Sequence, residues 1–492
     1  MKTSISEKAK IGVMICGHKE YWPQFDGLKD RLMRQAMQFV GWVKETGVEV
    51  VGSPFVDTVE DSYREGLEFR KQDIDLLCVW QTSYVASGRY AQGVLAAGCP
   101  FVIVGAQTNL DYSGKMTIDI FETIASGGLT PLAEAWNAFV RCGAKPAGMI
   151  FGALELNDYM SKEISGWCKA ANAIRAFKGA IFGYMGHTYE GMYDMNFDAT
   201  AVTRNFGVHV RFVEMCELVN YIEKCSDEDL QAKIDQINTT FERMGKSYDA
   251  TTKDTDNSEI EWAAKVSVGI DKIIRNNNLS GFAYYYLGEN NSIYERTASN
   301  MCIGNSLMTT SGIAMAGEAD MKTALAMYLT SAMGGGGSFA EFNSCDYNMD
   351  ILMVGHDGPH DIRISDKKPK IRGLGVRHGK RGTEVSVEFS IKHGPITLVA
   401  VTQGLDGKCF LVYAEGESQE GWTPQNGNTS TRAYFGPDVC KFIRNWSTAG
   451  PSHHASLTIG HVGDAIEKFG KLKGMDVIRV TADGVTKVVS AE

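Results

Sequence analysis

The sequence has no Cys-x-x-Cys pair, and its eleven cysteines follow no regular spacing. An odd number of scattered thiols argues against a disulfide framework and against a thiolate zinc site, and reads as reduced cysteines. None sits in the basic, exposed setting that makes a thiol a nucleophile. Long apolar runs are missing too: stretches such as Leu76–Trp80 and Phe101–Val104 fall far short of the roughly 20 residues that cross a bilayer, so no membrane association is expected. Positive charge is in deficit, with 49 Lys and Arg against 59 Asp and Glu and a net charge of −10. That excludes nucleic-acid backbone binding as a main task, while a small anionic substrate would need only a local basic pocket. Residues 1–10, MKTSISEKAK, are polar with no apolar stretch after them, so no signal peptide is expected and a cytoplasmic location is. There is no Walker A pattern, no Gly-x-Ser-x-Gly and no Gly-x-Gly-x-x-Gly after a strand, which removes the usual signatures of nucleotide and acyl-transfer chemistry.

What is present is an ordinary globular composition, 44% hydrophobic and 22% charged, in 492 residues. That length exceeds what one core organises and predicts two or three domains. Over residues 1–175, short apolar runs (10–17, 48–56, 75–80, 101–106, 147–153) alternate with helix-length amphipathic segments such as 27–46, 59–71, 85–98 and 129–142. This is the pattern of βαβ units in a doubly wound parallel sheet, whose working loops lie at the carboxyl ends of the strands. Gly17, His18 and Lys19, then Gln81 to Tyr84, then Gln107 to Asn109 should therefore share one rim.

A second α/β domain, 176–335, has expected strands at 180–185, 208–214 and 281–287, helices at 227–246 and 258–276, and an exposed polar loop at 246–258. His209 lies within an apolar run and reads as structural. A β-rich domain, 336–492, follows. In EVSVEFSI (384–391) polar and apolar residues alternate strictly, which predicts an antiparallel sheet with one solvated face. His378 and His393 flank its turns and should face solvent. A helix (464–472) and a strand (475–481) close the chain.

Acids and histidines concentrate in three late segments. In AMAGEADMKTALAMYL (314–329), Glu318 stands just before an expected amphipathic helix capped by Asp320, and either a ligand or a simple capping acid fits it. Glu341 follows four glycines, and Asp346, Asp350, His356, Asp357 and His360 come within twenty residues. Oxygen and imidazole donors of this kind suit Mn²⁺, Mg²⁺, Co²⁺ or Zn²⁺. In TAGPSHHASLTIGH (448–461) two histidines are adjacent; neighbours on a strand point to opposite faces, so at most one is a direct ligand and the other orients it or touches substrate. His187, in the Gly- and aromatic-rich GYMGHTYEGMYD (183–194), could form a substrate wall or simply pack within its loop.

Taken in order, these segments resemble the L-arabinose isomerase family. Where the family has Gly-Glu-Gly-Asp-Trp-Lys-Thr-Ala, this chain has Gly317-Glu318-Ala319-Asp320-Met321-Lys322-Thr323-Ala324. A Ser-Phe-Met-Glu segment is matched by Ser338-Phe339-Ala340-Glu341, the family's metal-binding histidine by His356, and its Gly-Gly-Ala-His-His-Thr by Gly450-Pro451-Ser452-His453-His454-Ala455. The resemblance implies two doubly wound α/β domains followed by a β-rich domain. It implies a metal-dependent aldose–ketose isomerase acting on a pentose or hexose through a cis-enediol. Glu318 and Glu341 would be catalytic, and Glu318, Glu341, His356 and His454 would bind a divalent cation, foremost Mn²⁺ with Co²⁺ or Mg²⁺ as alternatives. The implied substrate contacts are His18, Lys19, Gln81, Gln107, His187, His360 and His453. The implied assembly is a homo-oligomer, trimer or hexamer, with active sites at subunit boundaries.

The sugar-reading positions depart from the family. Its Gly-Ser-Gln is Gly17-His18-Lys19 here, its Asn-Gln-Thr-Ala-His-Gly is Ala125-Ser126-Gly127-Gly128-Leu129-Thr130, and its Gly-Asp-Asn-Met-Arg is Gly186-His187-Thr188-Tyr189-Glu190. An isomerase or epimerase of an acidic or deoxy sugar, and a non-catalytic sugar-binding relative, are the alternatives.

Overall fold

A computed structural model describes residues 7–114, 117–156, 158–375 and 382–491. His378 and the first residues of the polar amino-terminal segment lie outside them. The chain divides into two units, 7–175 and 176–491.

The first unit is built on a parallel sheet, as the alternating pattern predicts. Its strands run in the order Glu49–Gly52, Lys10–Cys16, Leu76–Gln81, Phe101–Gln107, Gly148–Ala153, with the short Phe55–Val56 also paired to the first strand in sequence. The expected strand 48–56 is thus broken at Ser53-Pro54, because proline has no N–H to give a ladder. Strands 76–81 and 101–107 are buried on both faces, consistent with helices covering both sides. Gln81 pairs with Cys16 on one side and Gly105 on the other, so the carboxyl ends of the central strands adjoin.

The second unit holds a parallel sheet and a barrel. The sheet runs Ala314–Ala316, Gly281–Tyr284, Ile181–Met185, His209–Val213. In the barrel, strands Gly394–Gln403, Ala455–Ile459, Ser338–Asp346, Ile351–His356, Thr429–Tyr434 and Cys409–Gln419 pair in that order. The ring closes because Gly394–Gln403 also pairs along its whole length with Cys409–Gln419. Ala340, Val354, Leu398, Ala400, Val412, Ala414, Ala433 and Leu457 fill the adjoining core. Helix Met321–Ala332 packs on strands 281–284 and 314–316 and also on strands 394–403 and 455–459. It is therefore not amphipathic as its sequence context suggests: every residue from Met321 to Thr330 is buried.

Strand Glu384–Glu388 overturns a second expectation. Its polar face is not solvated; all five residues are buried. The Glu388 carboxylate takes a bidentate pair of hydrogen bonds from Arg372 (2.9 and 2.8 Å) and one from the Gly427 N–H (2.8 Å). The Ser386 hydroxyl donates to the Gly427 carbonyl at 2.7 Å. Alternation reveals which residues share a face, and partners from distant segments decide whether that face is wet. His209 is also corrected, since it is exposed on its strand, while His393 is exposed as expected. Among the described residues no helix is long and apolar enough to cross a membrane, and all eleven cysteines are free thiols.

Candidate metal centre

Glu318 sits in the tight turn Gly317–Ala319 that joins strand Ala314–Ala316 to helix Met321–Ala332, at the carboxyl end of a parallel strand. Both Glu318 (φ 54°) and Ala319 (φ 56°) adopt the left-handed backbone conformation, two successive non-glycine residues in a disfavoured region. Asp320 follows as the helix cap, accepting hydrogen bonds from the Lys322 and Thr323 N–H groups (3.1 and 3.0 Å) and the Thr323 hydroxyl (2.8 Å).

The other acids and imidazoles come from three adjacent barrel strands. Glu341 lies opposite Gly355, and His356 ends that same strand. His454 immediately precedes Ala455, which pairs with Ala340. Gly355 has to be glycine, because a Cβ there would run into the Thr429 carbonyl of the next strand. Phe339 packs against both imidazoles, its ring 4.9 Å from that of His356 and 4.2 Å from that of His454.

Glu318, Glu341, His356 and His454 thus fall into two overlapping groups that share His454. The Glu318 carboxylate places Oε1 3.9 Å from His356 Nε2 and Oε2 3.8 Å from His454 Nε2. Glu341, His356 and His454 each bring one ligand atom within 4.8 Å of the others, and so do Glu318, His453 and His454.

Carboxylates behind the rings set their nitrogens. Asp320 Oδ2 lies 3.2 Å from His454 Nδ1, with both side chains fully buried. Burial pulls the Asp320 carboxyl up, but the bonds from His454 and Thr323 outweigh it and hold it below the usual carboxylate range. An ionised carboxylate only accepts, so Nδ1 of His454 carries the hydrogen and Nε2 keeps its lone pair. Burial in turn lowers the His454 imidazole, keeping it neutral. Asp357 Oδ1 stands 2.9 Å from His356 Nδ1. Burial alone would lower His356, yet the Asp357 carboxylate, with Glu341 and Glu318 beyond, raises it.

These residues suit a divalent cation on two grounds. The donors are carboxylate oxygens and imidazole nitrogens, the mix preferred by Mn²⁺ and related ions. Glu318 Oε2 and His454 Nε2 are moreover buried with no hydrogen-bond partner among the described residues, a costly arrangement unless something positive lies between them.

The remaining sequence candidates are spread more widely. His453 joins the cluster, half-exposed, its ring 3.9 Å from that of His454. His187 is exposed on the loop after strand Ile181–Met185 and packs edge-on against Tyr285. That loop touches the centre through Tyr189, whose N–H donates to the Glu318 carbonyl at 3.4 Å. His360 is fully buried and sits behind the cluster, with Nε2 2.9 Å from the His356 carbonyl; burial lowers its imidazole to about 3. Asp346 and Asp350 bond to backbone: Asp346 accepts from the Asn348 N–H within its own turn and Asp350 from the Val439 N–H at the start of helix Val439–Thr448, both at 2.9 Å. In the first unit, His18 contacts Glu20 at 3.4 Å, Lys19 is exposed, Gln81 is fully buried and Gln107 is half-buried at its strand end. Asp194 escapes sequence reasoning altogether: its Oδ2 accepts from both the N–H (2.9 Å) and the Nδ1 (2.6 Å) of His453, across a separation no local pattern signals.

Comparison with known proteins agrees with the resemblance. Residues 195–336 match the model of the L-arabinose isomerase central domain. The L-arabinose isomerase of Shewanella baltica (strain OS223) is 21% identical over 345 residues, covering 69% of this chain and 67% of its own. The L-arabinose isomerase of Clavibacter sepedonicus is 21% identical over 469 residues, 90% of this chain and 88% of its own. The sulfoquinovose isomerase of Alkalicoccus urumqiensis is 19% identical over 407 residues, 82% of this chain and 86% of its own.

Proposed function

The chain belongs to the L-arabinose isomerase family of sugar aldose–ketose isomerases, and from that premise we propose that it isomerises a neutral pentose or hexose through a cis-enediol at a centre made by Glu318, Glu341, His356 and His454. The observation that carries this reading is the pair of buried, unpartnered donors, Glu318 Oε2 and His454 Nε2, 3.8 Å apart. A divalent cation held there, Mn²⁺ first and Co²⁺ or Mg²⁺ as alternatives, would supply Lewis-acid stabilisation to the oxygens on C1 and C2.

The protein's own groups do the rest. The C2 hydrogen leaves as a proton to one carboxylate, and O1 gains a proton, giving the enediol. A proton then leaves O2 while one is delivered to C1, so the ketose forms with no net change in protons. Glu318 and Glu341 take the acid and base roles, since they are the two carboxylates at the ligand cluster itself. His356 and His454, held by Asp357 and Asp320, keep the cluster in place.

A second reading has one observation in its favour: the relative named for sulfoquinovose, a sugar with an acidic group, aligns over 82% of the chain. The loop 186–196 offers such a group no Lys or Arg. Product analysis after incubation with Mn²⁺ and a panel of pentoses, hexoses, uronates and sulfoquinovose decides. Turnover confined to neutral sugars supports the first reading, turnover confined to acidic sugars the second, and no turnover of any sugar overturns both. By analogy with the family we also propose a cytoplasmic homo-oligomer, trimer or hexamer, with active sites at subunit boundaries; light scattering on the purified protein would test its size.

A further inference from the structure

The two adjacent histidines are each held at Nδ1 by an aspartate from a different part of the chain. Asp320 holds His454; Asp194, in the turn Tyr193–Met195, holds both the N–H and the Nδ1 of His453 through a single oxygen. Asp194 is itself anchored. Its carbonyl accepts from Lys322 Nζ and from the Ser452 hydroxyl (3.4 Å). Lys322 is buried and belongs to the same short motif as Glu318 and Asp320. That motif therefore reaches His454 directly and His453 by way of Lys322 and Asp194.

A carboxylate only accepts, so Nδ1 of His453 carries hydrogen, and in the neutral ring Nε2 is the bare nitrogen. With Nδ1 of both rings committed to aspartates, Nε2 is what each has left for the cluster it shares with Glu318, whose ligand atoms lie within 4.8 Å of one another. Resting on the function proposed above, we propose that Asp194 is a positioning residue. It fixes His453 in the Nδ1–H form, so that Nε2 accepts a hydrogen bond from a hydroxyl of the sugar at the cluster, and Lys322 holds Asp194 for that task. His453 is half-exposed and has no other side-chain hydrogen bond among the described residues. Without Asp194 it would be free to turn and to exchange its two neutral forms.

The test is a double-mutant cycle read on the best sugar, joined to a spectroscopic measurement. Asp194→Asn should lower kcat/KM by about tenfold or more, as loss of an orienting partner does, and leave Mn²⁺ affinity by calorimetry within threefold. In the His453→Gln background the same change should cost less than about twofold, because there is no imidazole left to position. Equal losses in both backgrounds, or a wild-type kcat/KM for Asp194→Asn, would overturn the proposal. Nitrogen-15 NMR of histidine-labelled, metal-free protein reads the tautomer without any sugar. His453, assigned through His453→Gln, should carry hydrogen on Nδ1, and should lose that preference in Asp194→Asn; a wild-type Nε2–H form contradicts the proposal. If no sugar is turned over, the functional reading falls, and the NMR still decides the role of Asp194.

Discussion

Asp320 and His454 share a hydrogen bond of 3.2 Å in a setting closed to solvent on both sides. The same aspartate caps helix Met321–Ala332, so one carboxylate both starts the helix and sets the nitrogen that faces Glu318. Asp320→Ala should therefore fail twice. Mn²⁺ affinity, measured by calorimetry, should fall about 10- to 100-fold as an orienting partner is lost. Thermal unfolding should show a loss of about 1 kcal/mol or more from the missing cap.

The left-handed turn predicts an unequal response to two small substitutions. Ala319 occupies φ 56°, a conformation open to glycine, tolerated by alanine and severe for a β-branched side chain. Ala319→Gly should change stability by less than about 1 kcal/mol, since relief of strain offsets the lost methyl and the looser unfolded chain. Ala319→Val should destabilise by about 2 kcal/mol or more. Chemical denaturation of the two variants checks this; equal stabilities would contradict the backbone argument.

The resemblance, the parallel sheets and the ligand cluster were legible because each leaves a local trace. Runs such as DLLCVW mark buried strands, and Glu318, Glu341, His356 and His454 stand in short motifs that can be read in the chain itself. Asp194 was invisible because its contact with His453 spans 259 positions and depends on how a loop folds back. The polar face of strand Glu384–Glu388 was misread for a related reason: Arg372 and Gly427, which cover it, are set by tertiary pairing, not by alternation.

That buried pairing gives a third prediction. Among the described residues, Arg372→Met leaves the buried Glu388 carboxylate with only the Gly427 N–H to satisfy it, and removing one partner of a buried pair costs about 3–5 kcal/mol. The loss should appear in equilibrium unfolding, while Mn²⁺ affinity of the folded fraction stays near wild type.

His360 gives the protein a pH-dependent stability. Its imidazole is lowered to about 3 by burial, whereas in the unfolded chain it titrates near 6.5. Between those values the unfolded state binds the extra proton, so stability is intact above about 6.5 and is lost as pH falls, with a slope approaching about 1.4 kcal/mol per pH unit. The difference in unfolding free energy between wild type and His360→Asn should therefore shrink from pH 7 to pH 4. A difference independent of pH would contradict a neutral, buried His360.

The central claim is that Glu318 and Glu341 are the proton-transfer groups of a cation-dependent sugar isomerase. Its most direct test is the turnover, with Mn²⁺, of the sugar best used by the wild type, measured for Glu318→Gln and Glu341→Gln. Each change keeps the shape of the side chain and removes its ability to take a proton, and each should lower kcat by about 100-fold or more. Full isomerase activity in either variant would contradict the account.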